Sequence, residues 1–351
     1  MDFSNILPLT LGLVIFSFLV TSILVVPFIN LLYSMKLTRR KEASKIGKKS
    51  LFDKLHDKKA GTPTGGGVLL VGLVAILFAI IFPIIVKLGV FIHLAYDLKY
   101  EIIIIFFTFI SFALLGFLDD WVKIFSKPRK GALGMWIGLS RRIKFGLQLL
   151  LAFIVAGMIK VLLGIDLVYI PIIDKVINLG YWYIPFAAFI IVFFANAFNF
   201  TDGLDGLASG LLLIYLIVFG IIAAGNLDTP LAVFIALWVG VIVAFLYFNI
   251  WPARIWLGDA GALSFGAMIA LIGLLTGNIA PMFVVGGIFV LEAVSSAVQI
   301  IGWKILKRPI FPLAPIHHTF LAIGWEEPKI VMRAWLAGGM LAIFGLWLAT
   351  I

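Results

Sequence analysis

Ten long apolar runs set the limits on what this chain can become: roughly residues 6–33, 65–88, 101–118, 145–165, 183–199, 207–225, 230–249, 262–277, 280–303 and 331–351. A helix crossing the hydrocarbon layer needs about 17 to 25 predominantly apolar residues. The runs reach or approach that length with few charges, and residues 184–195 and 209–225 carry none. A β-barrel would instead show alternating segments of about ten residues. The reading is an all-α, polytopic integral membrane protein of about ten transmembrane helices, a single domain over residues 1–351. Composition agrees, with 63% hydrophobic and 13% charged residues, outside the range of a soluble domain. Residues 1–33 lack a basic start and a small-residue cleavage site, so they read as an uncleaved span. The ninth run carries Gly286, Gly287 and Glu292 and is expected to bend or break. Its polar residues are compatible with a homodimer. With no cysteine in the chain, disulfides and thiolate metal sites are excluded.

The formal charge of +10 would suggest a nucleic-acid partner in a soluble protein. Here its distribution points to the bilayer instead. Alternating the connections between two faces puts 23 of the 27 Lys and Arg on one of them. By the positive-inside rule that face is cytoplasmic, and both termini are expected outside. No nucleic-acid partner is expected.

The unusual polar residues fall on the same face, from four separate places in the sequence. Asn196, Asn199, Asp202 and Asp205 recur every three residues, a spacing that stacks side chains on one helical face. The plainer reading is a polar loop with Asp202 or Asp205 as an N-cap. Asp119 and Asp120 end the third run, with Lys123 following and Lys144 opening the fourth. Adjacent carboxylates repel, so in a desolvated site they share a cation or one holds its proton; the alternative is a helix end with a local ion pair. Asp259 sits in Gly258-Asp-Ala-Gly261, read as a tight turn into the eighth run. Its plain role is an N-cap, and its other is a ligand to Mg²⁺, which takes one or two carboxylates plus phosphate oxygens. Asn249 lies just before it.

His317 and His318 lie in the last connection. Neighbouring loop histidines are more often surface residues, and without Cys or an H-E-x-x-H pattern zinc is not expected. Lys59 and Thr62 belong to Lys59-Ala-Gly-Thr-Pro-Thr-Gly-Gly-Gly67. Such a glycine-rich turn can present backbone N–H groups to phosphate, or serve only as an entry turn. Together these groups describe a cytoplasmic-face cleft suited to a Mg²⁺-assisted reaction between an anionic soluble substrate and an anionic lipid. A transporter or flippase would place ionisable groups near the bilayer midplane. Only Glu292 sits deep, where a helix-packing or dimer contact is its plain reading.

Four motifs occur together: Asn196-Ala-Phe-Asn-Phe-Thr-Asp-Gly-Leu-Asp-Gly-Leu-Ala208, Gly116-Phe-Leu-Asp-Asp-Trp-Val-Lys123, Asn249-Ile-Trp-Pro-Ala253 with Gly258-Asp-Ala-Gly-Ala-Leu263, and Gly61-Thr-Pro-Thr64. With them the chain resembles the polyprenyl-phosphate N-acetylhexosamine-1-phosphate transferases over about residues 36 to 335. Ala314-Pro-Ile-His-His and Gly324-Trp-Glu-Glu-Pro-Lys-Ile-Val favour the phospho-N-acetylmuramoyl-pentapeptide branch over the N-acetylglucosamine-1-phosphate branch. The resemblance implies a multi-pass enzyme of the bacterial inner membrane in peptidoglycan synthesis. It would transfer phospho-MurNAc-pentapeptide from UDP-MurNAc-pentapeptide to undecaprenyl phosphate, with Mg²⁺, giving lipid I and UMP. The alternative donor is UDP-GlcNAc or another UDP-sugar.

Carried over by motif, Asp259 is the Mg²⁺ ligand, helped by Asp119 and Asp120, and Asp119 activates the lipid phosphate. Asn196, Asn199, Asp202, Asp205 and Asn249 line the uridine and diphosphate region. Lys59, Thr62, Lys123 and Lys144 lie toward phosphates or nucleotide, and His317 and His318 border the sugar phosphate. The implied reaction is direct attack of the lipid phosphate; its rival, a covalent phospho-sugar on an Asp, needs the same carboxylates. The chain departs from the family pattern at Thr319 and Leu321, which stand where a third histidine and an acid are usual, and at Gly65, which replaces a methionine. Thr319 cannot inherit an imidazole's role.

Overall fold

In a hydrocarbon layer each backbone N–H and C=O has to be satisfied within its own segment, and an uncharged run of about 20 residues does so as an α-helix. The computed structural model describes residues 7–38, 60–88, 94–125, 139–226 and 228–351, without the side chain of Ile124. Among them twelve α-helices follow in order: α1 (Leu7–Ser34), α2 (Gly66–Lys87), α3 (Leu98–Phe125), α4 (Arg141–Leu162), α5 (Tyr183–Thr201), α6 (Leu207–Gly225), α7 (Thr229–Asn249), α8 (Gly258–Leu275), α9 (Ile279–Val285), α10 (Gly287–Ile305), α11 (Ile316–Ala322) and α12 (Glu327–Leu348). Ten are long and apolar enough to cross a membrane, as the runs predict. The only sheet among the described residues is an antiparallel hairpin between α4 and α5. Its strands β1 (Leu167–Ile170) and β2 (Lys175–Asn178) pair Leu167 with Asn178 and Ile170 with Lys175. The ninth run breaks at Gly286, between α9 and α10, where a break was expected.

Helix α8 is the axis. It is buried along nearly its whole length against α3, α5 and α2, while α1, α4, α10 and α12 turn most of their residues outward. Lipid is as apolar as a leucine side chain, so packing rather than transfer from water holds such helices together. Aromatic rings knit α3, α7 and α8: Phe109 meets Phe234 edge-on at 5.3 Å, and Trp238 lies 4.9 Å from Phe265. Ring pairs of this kind contribute about 0.5–1.5 kcal/mol each beyond the area they bury. Where α3 reaches the start of α8 it carries Gly116. A Cβ there would stand 2.0 Å from the Asp259 carbonyl oxygen, so only glycine permits this approach.

The helix ends differ from the apolar runs at one end of the bundle. Helix α3 runs to Phe125 rather than 118, α4 begins at Arg141 rather than 145, and α8 begins at Gly258 rather than 262. These extensions carry Asp119, Asp120, Lys123, Lys144 and Asp259. Their charges pair with one another, so the helices continue beyond the apolar stretch. At the opposite end, where the acidic residues formed no pattern in the sequence, the fold buries Glu101 beside Asp228. Asp228 also caps α7, accepting from the Leu231 N–H at 3.1 Å.

Candidate active site

The last turns of α3 and the first turns of α4 and α8 meet at the end just described. Asp119 is 2% exposed. Its Oδ1 accepts from the Leu139 N–H at 2.7 Å, and its Oδ2 faces Lys123 Nζ at 2.8 Å and Lys144 Nζ at 2.9 Å. Both ammoniums also bond Asp259 Oδ2, each at 2.5 Å. The Asp259 Oδ1 accepts from Asn199 Nδ2 at 2.9 Å. Asp120 turns to the same place: its Oδ2 accepts from the Ala260 N–H at 3.1 Å, and Lys123 lies 4.0 Å from its Oδ1. Three carboxylates from two helices thus surround two lysines, the outermost pair in sequence order, Asp119 and Asp259, standing 140 positions apart. Asp259 sits in the first turn of α8, not at its N-cap, where the helix dipole favours negative charge.

The donor set is carboxylate oxygen, the kind a hard divalent cation takes. Among the described residues no three acidic or histidine side chains converge on one metal-sized point. Lys123 is half-buried at 35% exposure, against 18% for Lys144. Asp119 and Asp259 together hold both lysines, so Lys123 differs from Lys144 in exposure and not in these partners. The carboxylate oxygens are of the chemical kind that suits a hard cation, and Lys123 and Lys144 occupy Asp259 Oδ2.

Helix α5 delivers the asparagines. Asn196 and Asn199 do share a helical face; Asn196 Nδ2 donates to Gln148 Oε1 at 2.7 Å, one turn beneath Asn199. The three-residue series stops there. Asp202 is the C-cap of α5, and α6 is preceded by Gly206 at φ 78°. So Asp202 and Asp205 neither continue the face nor act as N-caps.

Asp205 is buried, accepts from the Ala253 N–H at 3.0 Å, and donates its own N–H to Glu327 at 2.7 Å. Asn249 is buried as well, accepting from Ser209 Oγ and donating to the Ile255 carbonyl, both at 2.9 Å. Both brace residues 250–257, the loop that leads into Asp259. The glycine-rich turn does the same, contrary to a phosphate cradle. The N–H groups of Gly65 and Gly66 donate to the Trp256 carbonyl, and that of Gly67 donates to Leu257. Thr62 lies half-buried just before this turn, and Lys59 lies outside the described residues.

The histidines are not surface residues. His317 and His318 begin α11 and are both buried. Glu292 of α10, also buried, accepts from His317 Nδ1 at 3.0 Å, so its contact lies within the chain and not at a dimer surface. Thr319, in the place of a third histidine, donates its hydroxyl to the Leu313 carbonyl. Gln148, Glu292 and Glu327 were missed as site residues. The signal was available in part: Gln148 follows Lys144 by four residues on one helical face, and carboxylates in membrane segments are costly enough to demand a reason.

The sequence model of glycosyl transferase family 4 matches residues 102–277, the span that holds Asp119, Asp120, Asn199 and Asp259. A phospho-N-acetylmuramoyl-pentapeptide-transferase of Caldicellulosiruptor bescii is 36% identical over 283 residues, 81% of this chain and 82% of that protein. One from Geobacillus sp. strain WCH70 is 34% identical over 335 residues, 95% of this chain and 96% of the relative. One from Bacillus subtilis strain 168 is 34% identical over 295 residues, with 84% and 86% covered. With identity of this order along nearly its full length, the chain belongs to the phospho-N-acetylmuramoyl-pentapeptide-transferase family within glycosyl transferase family 4.

Proposed function

We propose that the chain transfers phospho-MurNAc-pentapeptide from UDP-MurNAc-pentapeptide to undecaprenyl phosphate, releasing UMP, at the cytoplasmic face of the bacterial inner membrane. The observation that carries this reading is the cluster of Asp119, Asp120, Asp259, Lys123 and Lys144. Two anionic substrates can meet only where cationic groups offset their charge and carboxylates hold a metal. An oxygen of the lipid phosphate attacks the β-phosphorus of the donor. The new P–O bond forms as the bond from that phosphorus to the bridging oxygen breaks, and UMP leaves with the electron pair. Lys144, fixed between two carboxylates, is placed to offset charge on the opening diphosphate. Lys123, the more exposed, swings from Asp259 to a phosphate. Asp119 orients Lys144 and, on this reading, takes the acceptor's proton. Mg²⁺, when bound by Asp259 with Asp119 and Asp120, supplies Lewis-acid stabilisation of phosphate oxygens.

Purified protein in detergent with undecaprenyl phosphate, Mg²⁺ and a panel of UDP-sugars tests the assignment. UMP release is expected with UDP-MurNAc-pentapeptide and at background with UDP-GlcNAc; the reverse preference would refute the donor. EDTA is expected to reduce the rate to background and added Mg²⁺ to restore it, whereas an EDTA-insensitive rate would rule out the metal. UMP release without lipid acceptor would favour the covalent route over direct attack.

A further inference from the structure

Glu292 and His317 form a buried carboxylate–imidazole pair that the cluster above does not explain. Glu292 is 3% exposed and His317 is 1% exposed. One carboxylate oxygen, Oε2, receives both the His317 backbone N–H at 3.3 Å and the ring Nδ1 at 3.0 Å. An ionised carboxylate only accepts, so the proton sits on Nδ1 and the ring is held at two points. The far nitrogen, Nε2, is buried and has no hydrogen-bond partner among the described residues. It lies against the turn that follows α5: a Cβ on Gly203 would stand 2.4 Å from it. That turn begins at Asp202, three residues after Asn199, which bonds Asp259.

We propose that Glu292 is a positioning residue for the transfer reaction: it fixes the tautomer and orientation of His317 so that Nε2 accepts from a hydroxyl of the donor's sugar at the Asp202–Gly203 turn. The inference rests on the transferase reading above. A buried ring nitrogen without a partner is costly, and a sugar hydroxyl that donates to Nε2 as the turn adjusts removes that cost. Helix packing alone would require neither the double contact to one oxygen nor a glycine opposite the ring.

The test combines ¹⁵N NMR of histidine-labelled protein in nanodiscs with steady-state kinetics. His317 is assigned by the signal lost in His317→Ala. In the unaltered protein its Nδ1 is expected to be protonated; a neutral ring protonated only at Nε2 would overturn the proposal. Glu292→Leu is expected to lose that fixed signal. It is also expected to lower kcat/KM for UDP-MurNAc-pentapeptide on the order of 10²-fold, within the range of a lost hydrogen bond to a buried group, while KM for undecaprenyl phosphate stays unchanged. The Glu292→Leu/His317→Ala double variant is expected to be no slower than His317→Ala. Unchanged donor kcat/KM in Glu292→Leu, or additive losses in the double variant, would refute it. If Glu292→Leu does not fold, Glu292→Gln keeps an acceptor and is expected to keep the Nδ1 proton; loss of that proton would count against the geometry. Absence of turnover in the unaltered protein would sink the transferase reading, while the NMR signal would still decide whether Glu292 holds the ring.

Discussion

Asp259→Ala is expected to lower UMP release by about 10³-fold or more, as removal of a group that stabilises transition-state charge does, while the protein still elutes from detergent as a single species. The carboxylate joins every part of the cluster: Lys123 and Lys144 at Oδ2, and Asn199 at Oδ1. Its removal leaves both ammoniums crowded on Asp119 Oδ2 and frees the Asn199 amide. The helix itself does not depend on it, because Asp259 caps nothing and α8 is buried by apolar side chains further along. Asp259→Asn is expected to fall nearly as far. An amide can accept from Asn199, but its NH₂ would meet an ammonium at 2.5 Å. A folded Asp259→Ala protein retaining more than about a tenth of the rate, well short of the loss typical for such a group, would remove this residue from the chemistry.

Gly116→Ala is the second large effect, and it acts without touching a charge. The added methyl would lie 2.0 Å from the Asp259 carbonyl oxygen and 2.4 Å from its carbonyl carbon. Neither is the flexible end of a side chain, so α3 and α8 have to separate. Misplacing reacting groups by about 1 Å can cost 10²-fold in rate, and a loss on that order is expected here. Gly72→Ala in α2 is the control, because a Cβ there meets nothing within 4 Å. In an ordinary helix that change gains up to about 1 kcal/mol of propensity, and its rate is expected to stay unchanged. Equal rates for the two variants would mean that the α3–α8 approach does not set the site geometry.

How far the sequence could be read follows from the range of each interaction. The spans were legible because an uncharged run of about 20 residues has one outcome in a bilayer, and Gly286–Gly287 marked the break between α9 and α10. The helix ends at the site were not, because hydropathy stops where charges begin, while α3 and α8 continue by pairing Asp119 and Asp259 with lysines from other helices. Proximity of Asp119, Asp120 and Asp259 followed from their motifs and their common face. The difference between Asp202 and Asp205 did not. Nothing local to Asp205 indicates that its carboxylate accepts from a backbone N–H 48 residues away. Likewise Glu292 lies 25 residues before the histidine it holds, so its place in the ninth run suggested only packing. On composition the glycines at 65–67 allow either a phosphate cradle or a plain entry turn, and their N–H groups serve Trp256 and Leu257.

The central claim is that Asp119, Asp120 and Asp259 make one cation site. Electron paramagnetic resonance of Mn²⁺, titrated into the purified protein in the presence of UMP, tests it most directly. The account predicts one tight Mn²⁺ per chain, lost in Asp259→Ala and weakened in Asp119→Asn and Asp120→Asn. No stoichiometric site, or a site whose affinity is the same in Asp259→Ala, would contradict it.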